Sequence, residues 1–399
     1  MNGKRKNGEG TWGKKQVGKY RYCFYRYPDG KEIYGKTETE VLEKRKKWES
    51  NPISKIQNKD FVTYTVEEYY MWWLENEIKG TVSQRTYDDY EYVSTHYLKM
   101  LDNELAYRQM GSLNRQVLQK YVNALVKKYS LAVIKKTCGV ISRCLEFAKT
   151  EGHIAENYMN MIKMPTENNV AVKKREAAYL IPEDFPKLFS EAERINNGEK
   201  GANGLPGTPV YGINAYIVLV SLTCGTRISE LLGLKKNNLH LDEKYIEICQ
   251  TQSRVKNRDK YATSKWKTIE ALPKSKNSAR KIPISDITVS FFEKILSFNS
   301  NLNDDDFICI NQAGNVCKAD SVNRTLKRML QRSNCSITEC GTHALRHSYG
   351  SYLISTGTPL IIVSRLLGHS SVKVTESVYI HILEEDKHKY IDTAFEKIS

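Results

Sequence analysis

No stretch of this 399-residue chain is apolar for long enough to cross a bilayer. The best run, Ala215 to Leu222, falls well short of the roughly 18 residues a membrane helix needs. Behind the polar start MNGKRKNGEG there is no apolar signal-peptide core. The nine cysteines are scattered, with no CxxC and no paired spacing, which speaks against a disulfide framework and for free thiols in a cytosolic chain. Acidic side chains are the minority: 46 Asp and Glu face 61 Lys and Arg, a net charge of +15, and the simplest polyanionic partner is nucleic acid. No carboxylate cluster suited to holding catalytic metal ions accompanies the motifs described below, and no internal repeat is visible. What is present excludes wholesale disorder, since 40% of residues are hydrophobic, and the length suggests two or three domains of roughly 150 residues.

The basic excess is concentrated at the front, where residues 1–50 carry fourteen Lys and Arg against seven Asp and Glu. Lys19 to Tyr27 is rich in strand formers, Pro28-Asp29-Gly30 is a turn signal, and Lys31 to Gly35 resumes the strand pattern. Thr37 can cap a helix reaching Trp48, with acidic residues in its first turn. Residues 1–55 therefore read as a three-stranded sheet backed by one helix. It is either a structural appendage or, with Lys19, Arg21, Tyr25 and Arg26 interleaving cations and rings, a β-type reader of a DNA groove. Asn51 to Asp60 lacks periodicity and reads as a linker. Helical spacing then recurs over 65–74, 83–97, 115–129 and 131–149, so residues 60–165 read as a compact all-helical domain whose aromatics mostly form its core. A polar connector, Thr166 to Arg175 with Lys173, Lys174 and Arg175 at its end, leads to an α+β domain over 175–399. Its strand-like runs are Tyr245–Cys249, Thr268–Leu272 and Arg280–Ile284.

Four segments of this last domain carry chemistry. An apolar helix over 213–222 breaks at Cys224-Gly225, and a new helix starts near Thr226 with Arg227 in its first turn. A cation there opposes the helix dipole, so Arg227 either pairs with Glu230 one turn on or awaits an external anion. Pro273 to Arg280, between two strand-like runs, reads as a hairpin tip bearing Lys274 and Lys276. In His343-Ala344-Leu345-Arg346-His347, a helix places His343 and Arg346 on one face. Finally, Leu367-Gly368-His369 and Thr375 through Tyr379 to His381 set a His and a Tyr ten residues apart on consecutive short helices. Two arginines, histidines, a hairpin lysine and a late tyrosine suit metal-free attack on a phosphodiester. Guanidinium forks meet the charge that builds on the non-bridging oxygens. A phenol, with a pKa near 10, needs a neighbouring cation and a proton acceptor to attack at pH 7.

In order and spacing, these boxes strongly resemble the tyrosine recombinase (phage integrase) family across roughly residues 178–385. The resemblance implies that Arg227, Arg346 and His369 bind the scissile phosphate, that His343 is the general acid/base, and that Tyr379 is the nucleophile leaving a 3′-phosphotyrosine. Glu230 would buttress Arg227, with His347 and His381 in support. The family's hairpin lysine favours Lys274, with Lys276 the alternative, because Gln250–Lys267 reads as a long basic insertion that disturbs the register. The three-part layout resembles integrases of lysogenic phages and of Tn916-type conjugative transposons. It implies an arm-type DNA-binding domain at 1–55, a core-site DNA-binding domain at 60–165 and a catalytic domain at 175–399. It also implies an enzyme needing neither metal nor cofactor. Such an enzyme acts as a tetramer on double-stranded DNA with core-type and arm-type sites, alongside an excision factor or host bending protein, in the bacterial cytoplasm at the nucleoid. The tail from Glu384 to Ser399, with Tyr390, Ile391, Ala394 and Phe395, is expected to dock on a neighbouring protomer or on its own domain. A silent DNA-binding regulator on the same scaffold and a type IB topoisomerase are the competing readings. The intact Arg, His and Tyr set opposes the first, and the arm-like domain opposes the second.

Overall fold

The computed structural model describes residues 10–17, 20–26, 32–49, 61–99, 105–173, 179–200, 211–259, 261–271 and 279–385. The chain divides into two compact units, residues 1–175 and 176–399. It is mainly helical with small antiparallel sheets, and no helix among the described residues is long and apolar enough to cross a membrane.

The first unit opens with an antiparallel sheet of β1 (Thr11–Val17), β2 (Tyr20–Arg26) and β3 (Glu32–Gly35), in that order. Alternation along β2 sends Cys23 and Tyr25 inward, where they meet Val41 of α1 (Glu38–Glu49). Thr37 caps that helix by accepting a bond from the Glu40 amide. Gly35, the last residue of β3, lies close under α1: a Cβ there would press to about 3.0 Å on the Val41 side chain. The turn at 27–31 and the linker at 51–60 fall outside the described residues.

The helices that follow are α2 (Val66–Trp73), α3 (Gln84–Tyr92), α4 (Arg115–Val126) and α5 (Leu131–Thr150). Both α2 and α3 run on into a wider π-helical turn, Leu74–Ile78 and Val93–Leu98. Their core is aromatic, as the sequence suggests: Tyr69, Tyr70, Trp73, Tyr90 and Tyr121 are buried with Leu118, Leu125, Ile134 and Ile141. The buried Tyr70 hydroxyl is satisfied by donating to the Tyr90 carbonyl at 2.8 Å. At the start of α2, Thr65 Oγ1 accepts from the Glu68 amide and the Glu68 carboxylate accepts from the Thr65 amide, a reciprocal cap. Thr65→Ala removes half of it and is expected to cost about 1 kcal/mol. A melting temperature lowered by a few degrees, with unchanged cleavage activity, checks this.

The second unit is built around α7 (Gly212–Cys224), which is buried on nearly every side. Such a helix is apolar all round because it has no solvent face. Preceding it is α6 (Asp184–Asn197), and after it come the short α8 (Ile228–Leu232), β4 (Leu239–His240) and β5 (Tyr245–Ile248). Next are β6 (Thr251–Lys256), β7 (Trp266–Ala271), β8 (Arg280–Pro283), α9 (Asp286–Ser297) and α10 (Ala319–Arg332). The last three are α11 (Thr342–Ser355), α12 (Leu360–Leu367) and α13 (Val372–Glu385). Helices α6, α9, α10 and α11 pack on α7, and the joint core includes Leu188, Phe292, Leu326, Met329 and Leu345.

One strand pairing departs from the sequence reading. The runs around 268–272 and 280–284 do not pair as a hairpin. Strand β8 pairs with β5, with Ile282 opposite Ile246, while β7 pairs with β6 to make a separate two-stranded ribbon. The reason is burial. Ile246, Ile248 and Ile282 belong to the core, whereas β7 is largely exposed and offers no such face. Accordingly Gln250–Lys267 is not a plain insertion, since it contributes β6 and the start of β7.

Candidate active site

Two glycines set the backbone of the site. At the end of α7, Gly225 lies at φ +63°, and a Cβ there would also meet the Tyr349 ring at 2.2 Å. At the end of α12, Gly368 lies at φ +64°. Each turn is followed within two residues by a site residue, Arg227 after the first and His369 after the second.

Arg346, on α11, joins the two turns. Its side chain is buried, with Nη1 donating to the Gly225 carbonyl at 3.0 Å and Nη2 donating to the Leu367 carbonyl. Arg227 sits at the N-cap position of α8, in extended conformation. Its Nη1 donates to Glu230 Oε1 at 2.7 Å, and its amide donates to Glu230 Oε2 at 3.0 Å. The two sequence alternatives for Arg227 thus reduce to one arrangement. Glu230 does pair with it, yet the Arg227 side chain stays 37% exposed, so part of its donor fork remains open to an anion. His369 Nδ1 lies 2.8 Å from Thr375 Oγ1, which fixes the ring. It stands in the connection between α12 and α13, not on a helix as the spacing suggested.

His343 opens onto the surface one turn before Arg346. His347 lies edge-on to the His343 ring, with centroids 4.6 Å apart, and edge-on to Tyr379 at 6.2 Å. Among the described residues, the buried His347 Nδ1 has no hydrogen-bond partner. Tyr379, on α13, is 1% exposed and packs with Ile354, Val363 and Leu367. Its hydroxyl rests over Gly350 of α11, close enough to fill the space a Cβ would need.

The electrostatics are those of an anion site. Burial, then the charges of Arg346 and Arg227, drives the His369 pKa down to about 4. Burial, then His343 and Arg346, drives His347 to about 4 as well. The His343 pKa is lowered by desolvation and then by Arg346 and Arg227. Burial pushes Tyr379 up to about 12, opposed by Arg346. A bound phosphate dianion or diester would offset the cations and lift the histidine values back. Stability follows from the same shifts. In the unfolded chain His347 and His369 titrate near 6.5, so between pH 6.5 and 4 the unfolded state binds more protons. Their contribution is complete above pH 6.5 and is lost as pH falls toward 4. A melting temperature that drops by several degrees between pH 7.5 and 5, and drops less with phosphate present, is expected in thermal scans.

The remaining sequence candidates are placed as follows. Lys274 and Lys276 lie outside the described residues, as do Lys19, Lys174, Arg175 and the tail beyond Glu385. His381 falls on α13, with its side chain outside the description. Arg21 is exposed on the sheet, and Arg26 pairs with Glu32. Tyr25 needs correcting: it is 4% exposed, covered by Arg45 and Trp12, because strand alternation turns it toward α1 and not outward. Lys173 donates to the Glu167 and Asn168 carbonyls. Sequence reading overlooked Arg280, which pairs with Glu230. A signal was there, since a strand that buries Ile282 puts Arg280 on the same face.

Comparison with known proteins agrees with this geometry. Residues 190–386 match the phage integrase family. The chain is 28% identical over 378 residues to a XerC-like tyrosine recombinase of Caldanaerobacter subterraneus, covering 91% of this chain and 90% of the relative. It is 25% identical over 326 residues to the integrase of Staphylococcus phage L54a, covering 78% and 87% respectively. Among solved structures, the Tn1549 transposon integrase in complex with transposon right end DNA superposes with a TM-score of 0.64. That match has 17% identity and covers 82% of this chain and 99% of that one. A lambda integrase tetramer bound to a Holliday junction gives a TM-score of 0.55 at 16% identity, over 90% and 92% of the two chains. An arginine pair, three histidines and a late tyrosine thus gather in residues 190–386, the segment that matches the phage integrase family, and the chain as a whole resembles the tyrosine recombinases, the integrases of Tn916-type transposons among them.

Proposed function

We propose that this site-specific recombinase cuts and rejoins double-stranded DNA to integrate and excise a mobile element such as a conjugative transposon or prophage. Arg227, Arg346 and His369 hold the non-bridging oxygens of the scissile phosphate. The Tyr379 hydroxyl attacks phosphorus, its proton passing to His343, and the bond from phosphorus to the 5′ oxygen breaks. A lysine, Lys274 or Lys276, delivers a proton to that departing oxygen. The product is a 3′-phosphotyrosine, whose retained ester energy lets a 5′ hydroxyl reseal the strand without ATP. The observation that carries this reading is Arg346. One buried guanidinium pins both the turn leading to Arg227 and the turn leading to His369, in the same cluster that encloses Tyr379.

In this reading residues 60–165 bind core-type sites and residues 1–55 bind arm-type sites, with Arg21 on the open side of the sheet and Tyr25 in its core. Two recombining sites require a tetramer, and an excision factor or host bending protein directs the reaction. The crystallised lambda integrase tetramer on a Holliday junction and the Tn1549 integrase on transposon end DNA support this assembly. The test uses a nicked, end-labelled duplex carrying an element end, incubated with the protein in EDTA. The reading requires a protease-sensitive protein–DNA adduct that disappears when a strand with a free 5′ hydroxyl is added and joined. Tight DNA binding with no adduct on any of several element ends would instead support a silent regulator.

A further inference from the structure

Arg280 is a buried cation that the reaction scheme does not use. It opens β8, directly after the segment carrying Lys274 and Lys276. Its side chain is only 8% exposed, and the Glu230 side chain facing it only 1%. Arg280 Nη1 and Nη2 donate to Glu230 Oε1 and Oε2 at 3.2 and 3.0 Å. The same two carboxylate oxygens take the Arg227 side chain and amide, so Glu230 is shared by two guanidiniums. The third Arg280 donor, Nε, bonds the Leu366 carbonyl at 2.8 Å. That carbonyl neighbours the Leu367 carbonyl held by Arg346, two residues before the turn glycine and three before His369. The fit is close: a Cβ on Gly368 would stand 3.0 Å from Arg280 Cδ, Nε and Cζ.

One planar group therefore touches the carboxylate that aims Arg227 and the helix end that aims His369. Burial alone would raise the Glu230 pKa, but the Arg280 hydrogen bonds and charge, followed by Arg227, keep it lowered. A buried carboxylate with only Arg227 to balance it would hold that side chain tightly by itself and draw it away from an incoming phosphate. With Arg280 supplying half of the pairing, Glu230 orients Arg227 and leaves part of its fork for the substrate. A lysine cannot replace this, because a point ammonium cannot bond two carboxylate oxygens and a carbonyl in one plane.

We propose that Arg280 is a positioning residue for strand cleavage: through Glu230 and the Leu366 carbonyl it sets Arg227 and His369 for the scissile phosphate. The inference rests on the phosphate-binding role given above to Arg227 and His369. Its test is accordingly built on wild-type enzyme that already forms the covalent adduct, so failure of that role and failure of this proposal separate. Arg280→Lys, which keeps the charge, is compared with Arg280→Met in single-turnover cleavage of the nicked duplex. Duplex affinity and melting temperature are measured in parallel. Arg280→Lys is expected to bind DNA within about threefold of wild type and to cleave about 100-fold more slowly. In a double-mutant cycle with Glu230→Gln, the two losses should fall well short of multiplying. A substrate with sulfur in place of the bridging 5′ oxygen separates the two routes by which the change could act, since its leaving group needs no proton. The Arg280→Lys defect should persist on that substrate. Restoration to wild-type rates would place Arg280 in service of the lysine segment instead and overturn the proposal. Cleavage by Arg280→Lys within twofold of wild type would overturn it too, as would a loss matched step for step by lost folding and DNA binding. Should Arg280→Met fail to fold, Arg280→Lys alone decides.

Discussion

Tyr379→Phe is expected to abolish the covalent adduct and lower strand cleavage by at least about 10⁴-fold, with duplex affinity unchanged. The substitution removes one oxygen from a side chain that is otherwise packed among Ile354, Val363 and Leu367, so the fold should hold. The hydroxyl lies over Gly350, and burial has raised its pKa to about 12. In this state the phenol is protonated and a poor nucleophile at pH 7. In the proposed reaction, attack therefore requires that substrate binding bring its hydroxyl toward the phosphate, where Arg227 and Arg346 would favour the phenolate. A denaturing gel of labelled duplex, with binding measured separately, distinguishes lost chemistry from lost affinity. Residual adduct in the Phe variant would show that another side chain carries the attack.

The second large effect is expected at Arg346. Arg346→Lys should slow cleavage by about 10²–10³-fold, because one ammonium cannot both reach the phosphate and bond the Gly225 and Leu367 carbonyls. Unlike Tyr379→Phe, it should also destabilise the second unit by about 1–3 kcal/mol, since a carbonyl buried at the turn loses its donor. Arg346→Ala should cost more of both. The discriminating measurement pairs a thermal scan with single-turnover cleavage on the same preparation. A variant that lost rate but kept its melting temperature would mean that the two carbonyl contacts contribute nothing to holding the turns together.

Much of this architecture was legible in the residues because local signals agreed with tertiary demands. Thr37 and Thr65 cap the helices they precede, the apolar run before Gly225 is a buried helix, and Gly225 ends it. The catalytic boxes could be grouped because their spacing matches a known family, although no single one of them was distinctive. What escaped was long-range. Which strand pairs with β8 depends on which partner buries Ile282, and two strand-like runs in series invite the nearer one. Tyr25 looked like a surface ring because Tyr and Arg alternate along β2, but only the position of α1 decides which face is covered. Arg280 stood beside two lysines on a presumed surface tip and was passed over, because the carboxylate that needs it lies fifty residues earlier.

The central claim is that Tyr379 carries the DNA between cleavage and rejoining. The most direct measurement traps the adduct on a nicked duplex, digests it with protease and nuclease, and locates the remaining nucleotide by tandem mass spectrometry. The account predicts a 3′-linked nucleotide on the Tyr379 phenol and on no other residue. A nucleotide attached to a different side chain, or a cleaved strand with a free 3′ end and no attached peptide, would contradict it.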